Sequence, residues 1–280
     1  MTPQTKNTNQ LKSEIEQIIS QTEGEFAVAF STNENPEVSV IINGDESFHA
    51  ASTMKTPVMF EVFKQASEGK FNLDDSILVK NEFTSILDGS KFQLELSRDS
   101  GEKLYESLNK HRTIKELVFD MITVSSNLAT NILIDLVQPG NVMKTLHANN
   151  IYGVKVLRGV EDMKAFNAGM NNTVTAKDLM NLFKLIDTTK QLPEEYRTGM
   201  LNILLSQEFN SIIPGKLPKG IKVAHKTGSI DGVRNDSGII FLPDGRKYYL
   251  VILSKNLKDE NAGVEAGAEI SKKIYEFLTN

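Results

Sequence analysis

The sequence predicts a mixed α/β (α+β) fold: an antiparallel five-stranded sheet flanked by terminal helices, with an all-helical lobe inserted between its strands. Three observations lead to this prediction. An amphipathic helix and two strand-like segments open the chain, a long stretch of helical patterns follows, and three strand-like segments with a final helix close it. The terminal segments would therefore form one sheet, and the middle of the chain would form the lobe.

The opening of the chain changes from a helical pattern to strand patterns. Leu11, Ile15 and Ile18 recur at helical spacing, together with Ile19, which predicts an amphipathic helix over residues 11–22. Short apolar runs bounded by turn residues then indicate strands. These segments are strands at 26–30 and 38–42, with an Asn-Glu-Asn-Pro turn at 33–36 between them.

Helical patterns dominate residues 53–207, and strand patterns return after Pro214 and Pro218. A Pro-Asp-Gly turn at residues 243–245 separates the last two strands, because these residue types favour tight turns. The segments are helices at 113–122, 128–137 and 176–186, strands at 221–226, 237–242 and 247–254, and a helix at 265–278.

The order of these segments predicts how the chain divides. Residues 1–10 are polar and are expected to form a disordered N-terminal tail. Residues 11–280 are expected to form one catalytic domain with two lobes. An α/β lobe would take about 11–51 and 210–280, and a helical lobe would take about 52–209.

Composition excludes several classes of function. The chain has 280 residues, enough to bury a full core, and its net charge of −5 argues against a nucleic-acid binder. No apolar stretch approaches the roughly 18–20 residues that span a bilayer, so stable membrane insertion is not expected. The four histidines lack metal-ligand spacing, so neither a metal nor another cofactor is expected. The absence of cysteine excludes disulfides and thiolate catalysis, and no GxSxG motif is present.

The first candidate for chemistry is Ser52-Thr53-Met54-Lys55. If a helix begins near Ser52, positions i and i+3 share a face, so the Lys55 amine could reach the serine hydroxyl and act as its base. The alternative is that Ser52 only caps a core helix. The same SxxK spacing occurs at Ser67, Ser100 and Ser107, but in polar surroundings, whereas Ser52 precedes an apolar run.

The second candidate is Ser125-Ser126-Asn127. A hydroxyl and a carboxamide two residues apart can face one cavity, where they could relay a proton to a leaving nitrogen and hold a substrate amide. The alternative is ordinary N-capping of a helix by Ser125 or Ser126.

The third candidate is Lys226-Thr227-Gly228 at the end of a predicted strand, followed by Ser229. A lysine beside a hydroxyl can bind an anion, and the glycine lets a ligand approach the backbone closely. Ser229 could offer its N–H to an oxyanion and its hydroxyl to the same anion. The alternative is a strand end followed by a turn.

Together, and in this order, the SxxK, SxN and KTG motifs resemble those of class A β-lactamases and related penicillin-binding serine hydrolases. The resemblance covers nearly the whole chain, from about Leu11 to the last helix. It is carried by the segments FHAASTMKTPVMFEVF, ITVSSNLATNILID, NNTVTAKDLMNLF and VAHKTGSIDGVRNDSGIIFLPDG. It implies a β-lactamase/transpeptidase-like fold and hydrolysis of a β-lactam amide.

The resemblance also implies roles for single residues. Ser52 would attack the lactam carbonyl, Lys55 would help to remove its proton, and Ser125 would pass a proton to the lactam nitrogen. The backbone N–H groups of Ser52 and Ser229 would form the oxyanion hole. The substrate contacts that it implies are Asn127 on the acyl side-chain amide, and Lys226, Thr227 and Ser229 on the carboxylate.

Two positions depart from the family pattern. Ser126 stands where the family usually has aspartate, a residue thought to brace the loop rather than to contact substrate. The family's Ω-loop pattern RxExxLN is irregular here, where the chain reads Leu157-Arg158-Gly159-Val160-Glu161-Asp162. Glu161 is the candidate base for deacylation. The alternative is an ion pair of Arg158 with Glu161 or Asp162 that shapes the loop.

Two further basic residues lie near the third motif. Arg234 could add positive charge for the substrate carboxylate, as an arginine does in some relatives, or Asn235 and Asp236 could hold it in a turn. His225 directly precedes the motif and is interpreted as a packed strand residue rather than a catalyst.

The leading hypothesis is therefore a class A serine β-lactamase that acts on a small-molecule β-lactam, as a monomer in the periplasm or secreted. The N-terminus shows no export signal, so the chain is either cytoplasmic or begins after a removed signal. One alternative keeps the nucleophile in a D,D-peptidase or an esterase-like hydrolase. Another is a penicillin-binding sensor that forms an acyl adduct without turnover.

Overall fold

The computed structural model describes residues 7–279. The chain divides into two compact units. The first, called the sheet unit here, takes the described parts of Met1–Thr53, Val174–Lys184 and Asn210–Asn280. The second, called the helical unit, consists of Met54–Thr173 and Leu185–Phe209. Each unit is built around its own packed apolar residues, and each carries part of the predicted chemistry.

The secondary structure follows the predicted order of elements. The helices are α1 (Thr8–Ser20), α2 (Lys55–Ser67), α3 (Glu102–Tyr105), α4 (Ile114–Thr123), α5 (Asn127–Val137), α6 (Pro139–Ala148), α7 (Met163–Asn167), α8 (Ala176–Thr188), α9 (Glu194–Leu205) and α10 (Glu260–Thr279). The strands are β1 (Glu25–Thr32), β2 (Ser39–Ile42), β3 (Phe48–His49), β4 (Ser76–Leu78), β5 (Phe83–Thr84), β6 (Lys91–Phe92), β7 (His111–Thr113), β8 (Thr173–Val174), β9 (Lys222–Ile230), β10 (Val233–Phe241) and β11 (Lys247–Lys255).

The sheet unit is built on the predicted five-stranded antiparallel sheet, which is confirmed. Its strands lie in the order β2-β1-β11-β10-β9, so the first and last parts of the chain meet at the β1–β11 pair. Residues of β1, β10 and β11 are buried at nearly every position, on both faces of the sheet. Strands covered on both faces favour apolar side chains, as in the apolar runs of β1 and β11, whereas β10 also buries the polar side chains of Asn235, Asp236 and Ser237.

The two terminal helices pack against this sheet. Leu11 and Ile15 of α1 and Ile270 and Ile274 of α10 are buried in one cluster with sheet residues such as Leu250. Burying aliphatic side chains of this size stabilises a fold by roughly 1.5–3 kcal/mol each. The helical spacing of the apolar residues in α1 is therefore explained by one face turned to the sheet.

The predicted tail over residues 1–10 is wrong in its last part. Helix α1 begins at Thr8, because the Asn7 side chain accepts hydrogen bonds from the backbone N–H groups of Asn9 and Gln10. An asparagine at this position satisfies N–H groups that would otherwise lack partners in the first turn. Residues 1–6 lie outside the described part of the chain.

The third motif lies inside a strand, not at its end as predicted. Strand β9 continues to Ile230, which pairs with Val233 across a two-residue connection. That connection is Asp231-Gly232, and Gly232 adopts a left-handed backbone with φ of +69°. An Asp-Gly pair is a strong signal for a tight hairpin, and it marks a strand boundary that sequence reasoning missed.

In the helical unit, α2 contacts α4, α5 and α9, and α4 also contacts α5 and α9. Helix α4 begins with a capping box, in which Thr113 and Glu116 satisfy each other's backbone N–H groups. The lobe predicted as all-helical also holds two small antiparallel pairs, β4–β7 and β5–β6. Strands of two or three residues are too short to show a period of two, so no sequence pattern predicts them. Within the described residues, every helix is too short or too polar for a transmembrane span.

Candidate active site

Lys55 is the central residue of the site in the helical unit. It is the first residue of α2, its side chain is completely buried, and its Nζ donates three hydrogen bonds. These bonds run to the Ser125 carbonyl oxygen (2.7 Å), the Ser125 Oγ (3.1 Å) and the Asn127 Oδ1 (2.9 Å). Burial lowers the pKa of Lys55 to about 7, although the negative charges of Asp99 and Glu161 act in the opposite direction.

Ser125 is held in a left-handed backbone conformation, with φ of +58°. Such a conformation costs a non-glycine residue about 1–3 kcal/mol, and it occurs where a fold over-determines the chain. Here α4 has ended and α5 begins two residues later. Ser126 is the residue that caps α5, since its Oγ accepts a hydrogen bond from the Ala129 N–H at 3.2 Å. The capping role expected for this motif thus belongs to Ser126, while Ser125 contacts Lys55.

Glu161 is joined to the lysine through one side chain. Its Oε1 accepts a hydrogen bond from Asn127 Nδ2 at 2.8 Å, and the same amide accepts from Lys55 through its oxygen. Burial raises the pKa of Glu161, against the lowering effect of the Asn127 hydrogen bond. A carboxyl group with a raised pKa beside a lysine with a lowered pKa is a pairing typical of acid–base sites.

The loop that carries Glu161 is fixed by Asn131, a residue that sequence reasoning missed. Asn131 donates from Nδ2 to the Val160 carbonyl (3.0 Å) and accepts from the Val160 N–H through Oδ1 (2.7 Å). A Cβ atom at position 159 would lie only 2.4 Å from this Oδ1, so a side chain in place of Gly159 would require Asn131 to shift. Asn131 follows Asn127 by four residues on α5, and this helical spacing was the available signal.

Arg158 does not form the ion pair considered as an alternative. Its guanidinium donates to the carbonyl oxygens of Met170 (2.9 Å) and Gly159 (2.9 Å) and to Asn171 Oδ1 (3.2 Å). The Asp162 carboxylate instead accepts hydrogen bonds from Ser85 Oγ at 2.8 Å and from the backbone N–H groups of Ile86 and Ala165. Arg158 therefore shapes the loop through two backbone carbonyls and Asn171. Glu161 instead accepts a hydrogen bond from Asn127.

The sheet unit carries the remaining predicted residues. Lys226 is completely buried on β9, and its Nζ donates to the Thr227 carbonyl oxygen at 3.0 Å. Thr227 is nearly buried, whereas Ser229 is exposed to solvent. Ser52 is partly exposed, in a short 3-10 segment (Ala51–Met54) that leads directly into α2.

Gly228 packs directly against the backbone that precedes and includes Ser52. A Cβ atom at this position would lie 2.9 Å from the nitrogen atoms of Ser52 and Thr53 and 3.0 Å from the Ala50 oxygen. Real Cβ atoms essentially never come this close to backbone atoms, so only glycine fits without a shift. The KTG motif therefore needs its glycine to bring β9 alongside the Ser52 N–H.

Two further features fix the Ser52 segment. Ala51 has a left-handed φ of +45°, another strained position, and its N–H donates to His49 Nδ1 at 3.0 Å. Asn235, which pairs with Gly228 across the β9–β10 ladder, donates from Nδ2 to the His49 carbonyl oxygen at 3.0 Å. The turn before the serine is thus held by a local hydrogen bond and tied to the five-stranded sheet through Asn235.

Arg234, the candidate for the substrate carboxylate, contacts two backbone carbonyls and a glutamate. The Arg234 guanidinium donates to the carbonyl oxygens of Ile230 and Val233, both at 2.8 Å, and pairs with Glu260. Neither of its predicted neighbours holds it, because Asn235 bonds to His49 and Asp236 lies 2.9 Å from His225 Nδ1.

His225 is a buried strand residue, only 1% exposed, as interpreted from the sequence. Its Nδ1 faces Asp236 and its Nε2 lies 3.2 Å from Asn210 Oδ1. Within residues 7–279, no group of three or more histidine, aspartate or glutamate side chains is arranged to hold a metal ion.

Comparison with known proteins places the chain in a family. A family model described as the Beta-lactamase enzyme family matches residues 10–278. The chain belongs to this family. It is therefore a β-lactamase-type serine hydrolase, and the resemblance inferred from the three motifs is confirmed.

Individual proteins of known sequence or structure are similar to this chain over nearly their full length. The β-lactamase VEB-1 of Pseudomonas aeruginosa is 25% identical over 98% of this chain and 92% of its own. The structure of the TLA-1 extended-spectrum β-lactamase superposes with a TM-score of 0.85 at 23% identity, covering 98% of this chain and all of that one. The structure of PBP-A superposes at 0.80 with 25% identity, covering 96% of each chain. The predicted fold class is confirmed by these likenesses.

The close approach at Gly228 makes a testable prediction about stability. Gly228→Ala should lower the free energy of unfolding by about 1–3 kcal/mol, because the new methyl group meets backbone atoms that cannot move independently. Gly140→Ala is the matched control: nothing lies within 4 Å of its Cβ position on α6, and alanine favours a helix by up to about 1 kcal/mol. Chemical denaturation would measure both. Equal stability of Gly228→Ala and the parent protein would contradict the packing described here.

Proposed function

We propose that this chain hydrolyses β-lactams in two steps, through an acyl-enzyme on Ser52. The observation that carries the proposal is the buried Lys55 amine, whose pKa burial lowers to about 7. It stands at the start of α2, three residues after Ser52 on one continuous helical run. A lysine that is substantially neutral at neutral pH can accept a proton from a serine hydroxyl, which an ordinary surface lysine cannot.

Acylation would proceed by attack of Ser52 Oγ on the lactam carbonyl carbon. The hydroxyl proton would pass to Lys55 Nζ, the carbonyl oxygen would become an oxyanion, and its collapse would break the C–N bond. Ser125 Oγ would deliver a proton to the leaving nitrogen. The hydrogen bond between Lys55 Nζ and Ser125 Oγ supports this path, because it links the two groups that exchange the proton.

The oxyanion would be stabilised by the backbone N–H groups of Ser52 and Ser229. The tight fit of Gly228 supports this assignment, since it brings β9 against the Ser52 nitrogen atom. We assign Lys226, Thr227 and Ser229 to the substrate carboxylate, and Asn127 to the amide of the acyl side chain.

Arg234 receives a different role from the one first considered. Its guanidinium is engaged by Glu260 and by two backbone carbonyls of the β9–β10 connection. We therefore assign it to bracing this hairpin rather than to direct contact with the substrate carboxylate.

Deacylation would use Glu161 as the base that activates water for attack on the acyl ester. Its hydrogen bond to Asn127, and through it the link to Lys55, supports this role despite the irregular Ω-loop sequence. The glutamate must be ionised to accept the proton of water. The hydroxide so formed would add to the acyl carbonyl carbon, and collapse of this adduct would break the bond between that carbon and Ser52 Oγ. The proton held by Glu161 would then pass to Ser52 Oγ, which regenerates the serine and releases the product acid, so the route needs no metal or organic cofactor.

We further propose that the chain acts as a single catalytic domain, as a monomer in the periplasm or secreted from the cell. The family match runs through both units, from residue 10 to 278, which supports one catalytic domain. A small-molecule substrate requires no partner chain, and the targets of β-lactams lie outside the cytoplasm.

Ser52→Ala tests the nucleophile. The variant should fold normally yet show no covalent adduct with penicillin, because it lacks the only hydroxyl assigned to attack. Intact-mass measurement after incubation with penicillin would detect the adduct. Ser67→Ala is the matched control, since Ser67 begins another SxxK sequence but its hydroxyl only bonds to the Lys64 carbonyl on the surface. A mass increase that survives in Ser52→Ala would end the assignment.

Glu161→Gln separates the two chemical steps. Glutamine can still accept the Asn127 hydrogen bond, but it cannot take a proton from water. We expect the acyl-enzyme to form at nearly the parental rate and to hydrolyse about 10²–10⁴-fold more slowly, the usual contribution of a general base. Rapid mixing with mass detection gives both rates. Unchanged hydrolysis of the adduct would remove Glu161 from the mechanism and point to another base.

A further inference from the structure

We infer that Asp99 is a positioning residue of the active site, whose carboxylate fixes the start of α5 and so holds Asn127 between Lys55 and Glu161. The inference deepens the proposed function and rests on it. Neither the three motifs nor the family resemblance points to this residue. The only local signal is an Asp-Ser-Gly turn at residues 99–101.

The Asp99 carboxylate is buried and fully engaged with backbone N–H groups. Only 4% of the residue is exposed. Its Oδ1 accepts from the N–H of Asn127 (2.9 Å) and of Gly101 (2.8 Å), and its Oδ2 accepts from the N–H of Leu128 (2.8 Å). Asn127 and Leu128 are the first two residues of α5, whose N–H groups have no partner within the helix. A carboxylate placed here also interacts favourably with the positive end of the helix dipole.

The contact fixes the one side chain that links the proposed bases. Asn127 gives its oxygen to Lys55 and its nitrogen to Glu161, so both hydrogen bonds depend on where its backbone lies. Asp99 holds that backbone directly through the Asn127 N–H. A shift of the helix start would move the amide away from both groups at once.

Asp99 also compensates for the departure in the second motif. Ser126 stands where the family usually has aspartate. Its Oγ accepts a hydrogen bond from the Ala129 N–H and donates to Asp99 Oδ2 over a long distance of 3.5 Å. The carboxylate for this turn is supplied from a segment 27 residues earlier in the chain. Gly101 permits the approach, because a Cβ atom there would lie 2.3 Å from the Ser126 Cβ. A small residue at 126 and a glycine at 101 make room for each other.

The charge of Asp99 acts on the same groups. The titratable and charged groups around it are Lys55 on α2, Tyr105 on α3, Asp120 on α4 and Glu161 on the loop before α7, with Arg98 acting on Glu161. Burial is the largest influence on each of the four. The negative charge of Asp99 adds to it by raising the pKa of Tyr105, Asp120 and Glu161, and opposes it at Lys55, whose pKa it also raises. Removing this charge should therefore lower the pKa of both proposed bases.

The experiment measures the rate of Ser52 acylation by a chromogenic cephalosporin against pH, in the full chain. In the parent protein the rate should rise through about pH 7, as Lys55 loses its proton. Asp99→Asn keeps the shape but loses the charge and one backbone acceptor. We expect its maximal rate to fall by about tenfold to a hundredfold, and its midpoint to move to lower pH.

Two further variants separate position from charge. Asp99→Glu keeps the charge but displaces the carboxylate, so its maximal rate should fall while its midpoint stays near the parental one; this variant also carries the test if Asp99→Asn does not fold. Glu61→Gln is the matched control, a buried carboxylate on α2 that accepts from Gln65 and Thr145. It should cost stability and leave the midpoint unmoved.

The outcomes distinguish this inference from the proposed function. A parental rate and midpoint in Asp99→Asn, a parental rate in Asp99→Glu, or an equal midpoint shift in Glu61→Gln would overturn the role of Asp99. Each of these results leaves acylation of Ser52 in the parent protein intact. If the parent protein itself forms no adduct on Ser52, the proposed function fails first.

Discussion

The burial of the Lys55 amine is the constraint on which the chemistry of the helical unit depends. An ammonium group removed from water carries a penalty of several kcal/mol, which is why its pKa falls to about 7. The remaining cost is offset by three acceptors: two oxygens of Ser125 and one of Asn127. Ser125 presents its oxygens from a left-handed backbone, and the start of α5 is held by hydrogen bonds to Asp99 and Ser126. Stability is thus given up locally where the lysine amine is kept buried.

The sheet unit holds the backbone around Ser52 in a fixed position. Strands β9, β10 and β11 are buried over most of their length, and Gly228 brings the first of them against the nitrogen atoms of Ser52 and Thr53. Asn235 ties the segment before the serine to the same ladder. Oxyanion stabilisation needs donors that do not reorganise during the reaction, and a backbone N–H held against a buried sheet meets that requirement. The titratable groups proposed as bases lie in the helical unit, and the backbone donors proposed for the oxyanion lie in the sheet unit.

Much of the fold could be predicted because apolar periodicity survives in single elements. The spacing of Leu11 and Ile15 reflects one buried helix face, and the apolar runs in β1 and β11 reflect strands covered on both sides. The three motifs located the candidate nucleophile and its neighbours because their order is distinctive. The positive φ of Ser125 and the contacts of Asp99 could not be predicted, since both arise from tertiary packing between segments far apart in sequence. Likewise, the partners of Arg158 and Arg234 are carbonyls and a distant carboxylate, which no local pattern identifies.

The central claim is that this chain both forms and clears an acyl-enzyme on Ser52. The most direct test mixes the purified protein with a chromogenic cephalosporin and follows absorbance and intact mass together. We expect continuous colour development with little adduct at steady state, because the proposed base Glu161 would allow water to hydrolyse the ester. A single burst followed by a lasting mass increase would contradict the role of Glu161 and indicate a penicillin-binding protein that does not turn over. If neither colour nor a covalent adduct appears, the assignment of a β-lactam as substrate is contradicted.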